Sequence, residues 1–197
     1  MLATLRETLL AMQQQDLSVR AELAADGSLF EGYHPRMEAL HRANAQLLRQ
    51  LIAEHGWPNE EIAGTDGAEA AWLVAQHSIS EPEFMRSCRD LVAVEARAGR
   101  VPSWQHAYLY DRIQVSEGKP QRFGTQFEMT PDGPVVCEVD QPERLDDNRK
   151  EVGLGPMHQR LAAMAHEPRP SPEEFEARKA TERAWRQKVG WSAASAA

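Results

Sequence analysis

The chain has 197 residues, and its content of 42% hydrophobic and 26% charged residues is typical of a globular protein that buries its own core. The formal net charge of -8 argues against a nucleic-acid partner, because such binding depends on Lys and Arg side chains that neutralise phosphates. No apolar run reaches about 18 residues, so the sequence predicts no transmembrane helix and no membrane partner.

The amino-terminal stretch lacks the basic region, apolar core and cleavage site of a signal peptide, so a cytoplasmic location is expected. The two cysteines, Cys88 and Cys137, are widely spaced and are expected to be free thiols, with a disulfide as the alternative. The common phosphate-binding, dinucleotide-binding, zinc-protease and serine-hydrolase motifs are absent, and the sequence identifies no cofactor.

Helical patterns dominate the chain up to Gly118. Apolar residues recur at amphipathic spacing, and Pro35 and Pro102 suit the first turn of a helix. The second helix has a predicted buried stripe of Leu40, Ala43, Leu47, Leu48 and Leu51. The expected helices cover residues 2–25, 35–55, 68–78, 81–99 and 102–117, with a loop or short turn over residues 59–67.

After Gly118 the pattern changes. Two strands are expected over 121–129 and 135–139, and the turn residues at 131–134 between them favour a β-hairpin. Short helices over 143–152 and 157–165, a Pro-containing linker over 167–172, a charged helix over 173–189 and a frayed end over 192–197 complete the expected elements.

These elements predict a mainly α fold, a single-domain helical bundle with one small antiparallel β-hairpin. Residues 1–166 are expected to form the globular domain. Residues 167–197 are expected to form the linker, the charged carboxy-terminal helix and the frayed end.

The segment from Trp72 to His77 ends an apolar helix with a polar pair. Leu73 and His77 share one helix face, and Trp72 and Gln76 share another, so the polar tip is expected to face a cavity. Because histidine titrates near neutrality, His77 is predicted as the general acid/base and Gln76 as a substrate contact. The alternative is that His77 bonds a carbonyl at the helix end.

The segment from Tyr108 to Arg112 offers an anion-binding group and a carboxylate. Tyr108 and Arg112 share a helix face, whereas Asp111 lies about 100° round the helix from Arg112. Arg112 suits an anionic group of a ligand, since guanidinium matches carboxylate and phosphate in a fork geometry. Asp111 is predicted to orient His77. The alternative is a solvated Asp and Arg beside two core tyrosines.

The stretch QRFGTQ is unusual for a strand, because Gln and Gly pack poorly in sheets. Gly124 would allow a ligand to approach closely, and Gln126 beside it could read an amide or carbonyl. Gln121 and Thr125 share the opposite strand face. All four are predicted to bind substrate. The alternative is an exposed polar edge strand.

Further polar residues carry weaker signals. Asp16 and Arg20 form an i,i+4 pair, which on an exposed helix contributes only about 0.2–0.5 kcal/mol. Both residues, and Tyr108, are nevertheless predicted to bind substrate. Arg149 follows two acids and is predicted to hold an anionic group. His34 and His41 share a helix face and could form a metal site with a carboxylate, but no histidine spacing matches a known ligand set, so no metal site is predicted.

The motifs W-L-x-x-Q-H, Y-L-x-D-R and Q-R-[FY]-G-T-Q together resemble those of an uncharacterised bacterial domain family with no assigned activity. The resemblance covers about residues 8–160 and implies one shared site. The residues that it would bring together are His77, Asp111, Arg112, Gln121, Gln126, Asp16 and Arg149.

Two functions from different classes fit these residues. The first is an enzyme that acts on a small polar or anionic molecule by acid/base chemistry centred on His77, through hydrolysis or group transfer. The second is a non-catalytic module that binds a partner or ligand, in which the same polar residues form a structural network. The substrate, the oligomeric state and the use of a metal are not predictable from the sequence.

Overall fold

The computed structural model describes residues 4–30 and 32–191, which contain eight α-helices and one two-stranded sheet. The helices are α1 (Leu5–Ala25), α2 (Pro35–His55), α3 (Glu60–His77), α4 (Pro82–Arg97), α5 (Ser103–Ser116), α6 (Leu145–Glu151), α7 (Met157–Met164) and α8 (Pro172–Val189). The strands are β1 (Phe127–Thr130) and β2 (Gly133–Val136), and short 3₁₀ turns cover Ser28–Phe30 and Pro142–Arg144.

The predicted fold class, mainly α with a small antiparallel hairpin, is confirmed. Every helix in the described part of the chain is too short or too polar for a membrane span. The chain divides into two compact units, residues 1–105 and 106–197, each described by itself below. The predicted domain boundary near residue 166 stays a prediction, and the predicted frayed end at 192–197 lies outside the described residues.

In the first unit, local signals set the ends of α1 and α2. Thr4 and Glu7 form a capping box at the start of α1. His34 caps α2 by accepting a hydrogen bond from the Arg36 amide, and Gly56 ends that helix at φ +77°. α1 packs against both α2 and α3, and the core between the helices includes fully buried Leu9, Leu48 and Ala71.

Two predictions for these helices need correction. The segment over residues 59–67, expected to be a loop, is helical from Glu60, because the side chain of Asn59 accepts hydrogen bonds from the amides of Glu61 and Ile62. A kink at Gly64 separates this first turn from the rest of α3. The buried stripe of α2 agrees with the prediction only in part, because Leu48 is buried but Leu40, Leu47 and Leu51 are half-buried. Ala43 is exposed, and the buried face is Met37, His41, Asn44, Ala45 and Leu48.

In the second unit, the hairpin is shorter than expected. β1 pairs with β2 from Phe127 opposite Val136 to Thr130 opposite Gly133. The predicted strand over 121–126 is wrong, because those residues form a loop in which Gln121 makes an isolated bridge to Val139, and none of these described residues takes part in regular strand pairing. The carboxy-terminal helix α8 contacts the hairpin, where Arg178 donates to the Met129 carbonyl over 2.7 Å.

Candidate functional site

Asp16 and His77 form a hydrogen-bonded pair between α1 and α3. The Oδ2 atom of Asp16 lies 2.8 Å from Nδ1 of His77. The Asp16 side chain is 1% exposed and the His77 side chain is 21% exposed. A buried carboxylate therefore holds an imidazole that reaches the surface of its unit.

His41 on α2 brings a second imidazole to the same carboxylate. Its Nε2 atom lies 3.0 Å from Oδ2 of Asp16, in a direction that is poor for a hydrogen bond. Its Nδ1 atom lies 2.7 Å from the hydroxyl of Tyr33, and its ring centroid lies 5.0 Å from that of His77. We call Asp16, His41 and His77 the polar cluster.

The polar cluster keeps its carboxylate ionised. Burial by itself raises the pKa of Asp16, but the contacts with His41 and His77 outweigh burial and hold that pKa well below its ordinary value. Because Asp16 is ionised, the hydrogen of the bond belongs to His77 and Nδ1 donates, so a neutral His77 ring has its lone pair on Nε2. This is the arrangement that a general base needs.

The polar cluster also has the residue types of a metal site. One donor atom from each of its three residues lies within 4.8 Å of the other two. Among the described residues, no hydrogen-bond donor reaches the buried Oδ1 atom of Asp16.

The other predicted residues of the first unit lie near this centre in sequence. Gln76 is buried at the end of α3, and Arg20 is exposed on α1. Asp16 is not part of an exposed ion pair with Arg20, because it occupies a core position of α1 and its carboxylate contacts imidazoles. The substrate-binding roles of both residues stay predictions. Trp72 donates through its indole to the carbonyl of Gln105 over 3.0 Å, which fixes α3 within the core.

In the second unit, Asp111 holds the loop over residues 121–126. Its carboxylate is fully buried and accepts hydrogen bonds from the backbone amides of Arg122, Phe123 and Thr125 over 2.9–3.1 Å. The carboxylate in contact with His77 is thus Asp16, whereas Asp111 binds loop amides. The hydrogen bonds of Asp111 to the loop amides do not orient His77. The catalytic role of Asp111 stays a prediction.

The side chain of Gln121 forms hydrogen bonds with backbone groups that would pair with a neighbouring strand in a sheet. Its amide nitrogen donates to the carbonyls of Gln126 and Cys137, and its oxygen accepts from the Gln126 amide, each over 2.9 Å. The side chain of Gln126 in turn donates to the hydroxyl of Thr125 over 3.0 Å. Gln121 is fully buried, so binding a substrate through it would require these bonds to break.

Arg149 closes the loop from the other side. It donates to the carbonyls of Phe123, Gly124 and Gly155 over 2.7–3.1 Å, and it is 5% exposed. Gly124 has φ +60°, and a Cβ atom there would lie 2.4 Å from the methyl of Met157. The loop is therefore a tightly packed, hydrogen-bonded structure.

Tyr108 and Arg112 are half-buried on α5. The substrate-binding roles of these two residues, and those of the loop residues, are not tested by the contacts described and stay predictions. A surface cavity of about 500 Å³ in this unit is lined by other polar residues, among them Lys119, Arg122 and Arg144.

From the sequence, His41 was considered only together with His34, and Tyr33 was not singled out. The signal for His41 was its position, because it lies four residues from both Met37 and Ala45 in the buried face of α2. Asp16 shows the same feature, since it continues the three-and-four spacing of Leu9 and Met12. A polar residue in an otherwise apolar helical stripe is the pattern that identifies such a centre.

Among known proteins, the chain matches a family whose function is unknown. The model of the family of unknown function DUF6624 matches residues 3–167, which confirms the resemblance to an uncharacterised domain family. No curated protein and no solved structure matches the chain. Helix α8 lies beyond the matched residues.

Proposed function

The chain belongs to this family of unknown function, and we propose from the site itself that it is an enzyme acting on a small polar or anionic molecule. The proposed chemistry is acid/base catalysis by His77, in hydrolysis or group transfer. The observation that supports this most directly is the 2.8 Å contact between the buried Asp16 carboxylate and Nδ1 of the partly exposed His77.

Asp16 takes the orienting role in this proposal. An ionised carboxylate on Nδ1 fixes the tautomer, leaves the lone pair on Nε2 and stabilises the imidazolium that forms when Nε2 takes a proton. In the reverse step the same nitrogen returns the proton to a leaving group. Asp111 has its own hydrogen bonds to loop amides, so it is not used in this step.

An anionic substrate group is supported by Arg20. It lies one helical turn beyond Asp16, which places both residues on the same side of α1, and it is exposed. Its guanidinium can bind a carboxylate or phosphate in a fork geometry while His77 acts on an adjacent bond.

The proposal is tested with His77→Gln, and with His158→Gln as the matched control at an exposed histidine. Each protein is incubated with pooled small polar and anionic metabolites, and turnover is followed by mass spectrometry. We expect the His77 variant to lose roughly 100-fold or more of any turnover, as loss of a general base does. Equal turnover by wild type and His77→Gln would contradict the proposal.

The alternative, a non-catalytic module, is favoured by one observation: the polar cluster joins three helices. In that case His77→Gln would lower the melting temperature, and no pool would be turned over. A catalytic centre behaves differently, because removing a catalytic polar group often leaves stability unchanged or raises it.

A further inference from the structure

The polar cluster contains a combination of donors that transition metals prefer. Asp16 on α1 provides carboxylate oxygens, His41 on α2 provides Nε2, and His77 on α3 provides Nδ1. Two imidazoles and one carboxylate are the protein ligands of many catalytic zinc and ferrous sites, which keep further positions open for water or substrate.

The distances suit a single ion. Atoms bound to zinc at about 2.0–2.2 Å lie roughly 3–3.5 Å apart. The Oδ2 atom of Asp16 already lies 2.8 Å from one imidazole nitrogen and 3.0 Å from the other, and all three donor atoms are within 4.8 Å. Only a small outward shift of the side chains is needed to admit the ion.

The cluster also has polar atoms that hydrogen bonds do not satisfy. Within the described residues, Oδ1 of Asp16 and Nε2 of His41 are both buried without a hydrogen-bond partner, although Asp16 is 1% exposed. Buried polar atoms are ordinarily paired, so these two point to a ligand that binds both.

Tyr33 provides the support that a metal-binding imidazole requires. Its hydroxyl lies 2.7 Å from Nδ1 of His41, and a hydroxyl can accept as well as donate. In the metal-bound form, Nδ1–H of His41 donates to Tyr33 and the lone pair on Nε2 faces the ion. Metal-bound histidines almost always have such a partner on the second nitrogen.

We propose that Asp16, His41 and His77 bind one divalent transition-metal ion of the zinc class. The ion takes the place of the hydrogen on Nδ1 of His77, and the neutral ring then carries its hydrogen on Nε2, so either a hydrogen or an ion lies between Asp16 and His77. In the metal-bound form, an ion-bound water would take over the proton transfer assigned above to His77. The inference concerns binding and does not depend on the proposed acid/base reaction.

The test measures metal binding directly. The full chain is treated with EDTA, dialysed and titrated with Zn²⁺ by calorimetry, and with Co²⁺ by visible absorption. We expect one ion per chain, and a Co²⁺ spectrum that reports nitrogen and oxygen ligands. Mg²⁺ and Ca²⁺ should not compete, because they prefer oxygen ligands alone. Wild-type protein that binds neither Zn²⁺ nor Co²⁺ overturns the proposal, whatever the variants do.

Variants locate the ion. His41→Gln should weaken Zn²⁺ binding more than 100-fold, and Tyr33→Phe should weaken it about 10–100-fold, as loss of a ligand's hydrogen-bond partner does. His158→Gln, at an exposed histidine, should bind as the wild type does. Equal binding by wild type and His41→Gln would place the ion elsewhere and overturn the proposal.

The two proposals fail in different ways. Turnover by the EDTA-treated chain, combined with no metal binding, overturns the metal site and supports the acid/base enzyme. Turnover that EDTA abolishes and Zn²⁺ restores supports the metal site and overturns acid/base catalysis by His77.

Discussion

At the scale of the residue, two buried carboxyl groups show how neighbouring groups determine a pKa. Burial raises the pKa of both Asp16 and Asp111. For Asp16 two imidazoles reverse that effect, whereas for Asp111 the amides of Thr125, Arg122 and Phe123 offset only part of it. Asp16 is therefore held as a carboxylate that can bind a cation or an imidazole N–H, and Asp111 is suited to holding the loop.

Gly124 is predicted to be essential to the packing of that loop. Gly124→Ala places a Cβ atom at φ +60° and 2.4 Å from the methyl of Met157, with Leu145 at 3.1 Å. The left-handed conformation alone costs about 1–2 kcal/mol for a residue with a Cβ atom. We expect the variant to lower the free energy of unfolding by about 2–3 kcal/mol, measured by urea denaturation.

Gly153→Ala is the matched control for Gly124. Gly153 has φ +78°, but among the described residues no atom lies within 4 Å of its Cβ position. It should show the backbone cost without the clash. Equal losses in the two variants would mean that Met157 moves aside freely and that the loop is less tightly packed than its contacts indicate.

At the scale of the element, Glu95 connects the end of α4 to the start of α3. Its carboxylate accepts from Arg100 over 2.7 and 2.9 Å and from the side chain of Asn59 over 2.8 Å. Asn59 is also the cap of α3. One carboxylate thereby orders both the cap and the turn that follows α4.

This connection predicts a pH dependence of stability. The hydrogen bond from Arg100 is the main cause that holds the pKa of Glu95 below its ordinary value near 4.5, against the opposing effect of burial. A lowered folded-state pKa stabilises the fold above the unfolded value, and that contribution is lost as the pH falls through the folded value.

Glu95→Gln should therefore be less stable than the wild type at about pH 7, and the difference should shrink below about pH 4.5. Denaturant titrations across this range measure it. Glu54→Gln, at a carboxylate whose side chain is 73% exposed, is the control. A Glu95 difference that stays constant with pH would show that packing, rather than charge, makes this contact important.

Elements with local signals could be predicted from the sequence, and contacts between distant segments could not. The bounds of α2 agree with the prediction because Pro35 and Gly56 mark them. The loop at 121–126 was read as a strand because its conformation depends on Asp111 and Arg149, which no local pattern reveals. Asp16 and His77 were expected to share a site, but the position of His41 beside them was not predicted, for the same reason.

At the scale of the whole molecule, the folded structure continues beyond the family match. That match ends at residue 167, yet α8 contacts the hairpin and the end of α5. Arg186 donates to the carbonyl of Val115 over 2.9 Å. A cavity of about 350 Å³ between α8 and the hairpin is lined in part by Cys137.

A chain that ends at Glu167 should therefore expose Cys137. Burial raises the pKa of Cys137 to about 11 and that of Cys88 to about 12, so both thiols should react slowly in the full chain. Removing α8 should speed the reaction of Cys137 with a disulfide reagent. Cys88, fully buried in the first unit, is the internal control. An unchanged rate at Cys137 would mean that the hairpin protects the thiol without α8.

The span of the polar cluster along the chain has a kinetic consequence. Asp16 and His77 are 61 residues apart, and His41 comes from a third helix between them. Contacts of such long range form only after the intervening chain has been ordered. A ligand that needs all three residues therefore has no complete site until late in folding. Such a ligand would slow unfolding and leave the folding rate almost unchanged, so its effect would be on how long the native state lasts.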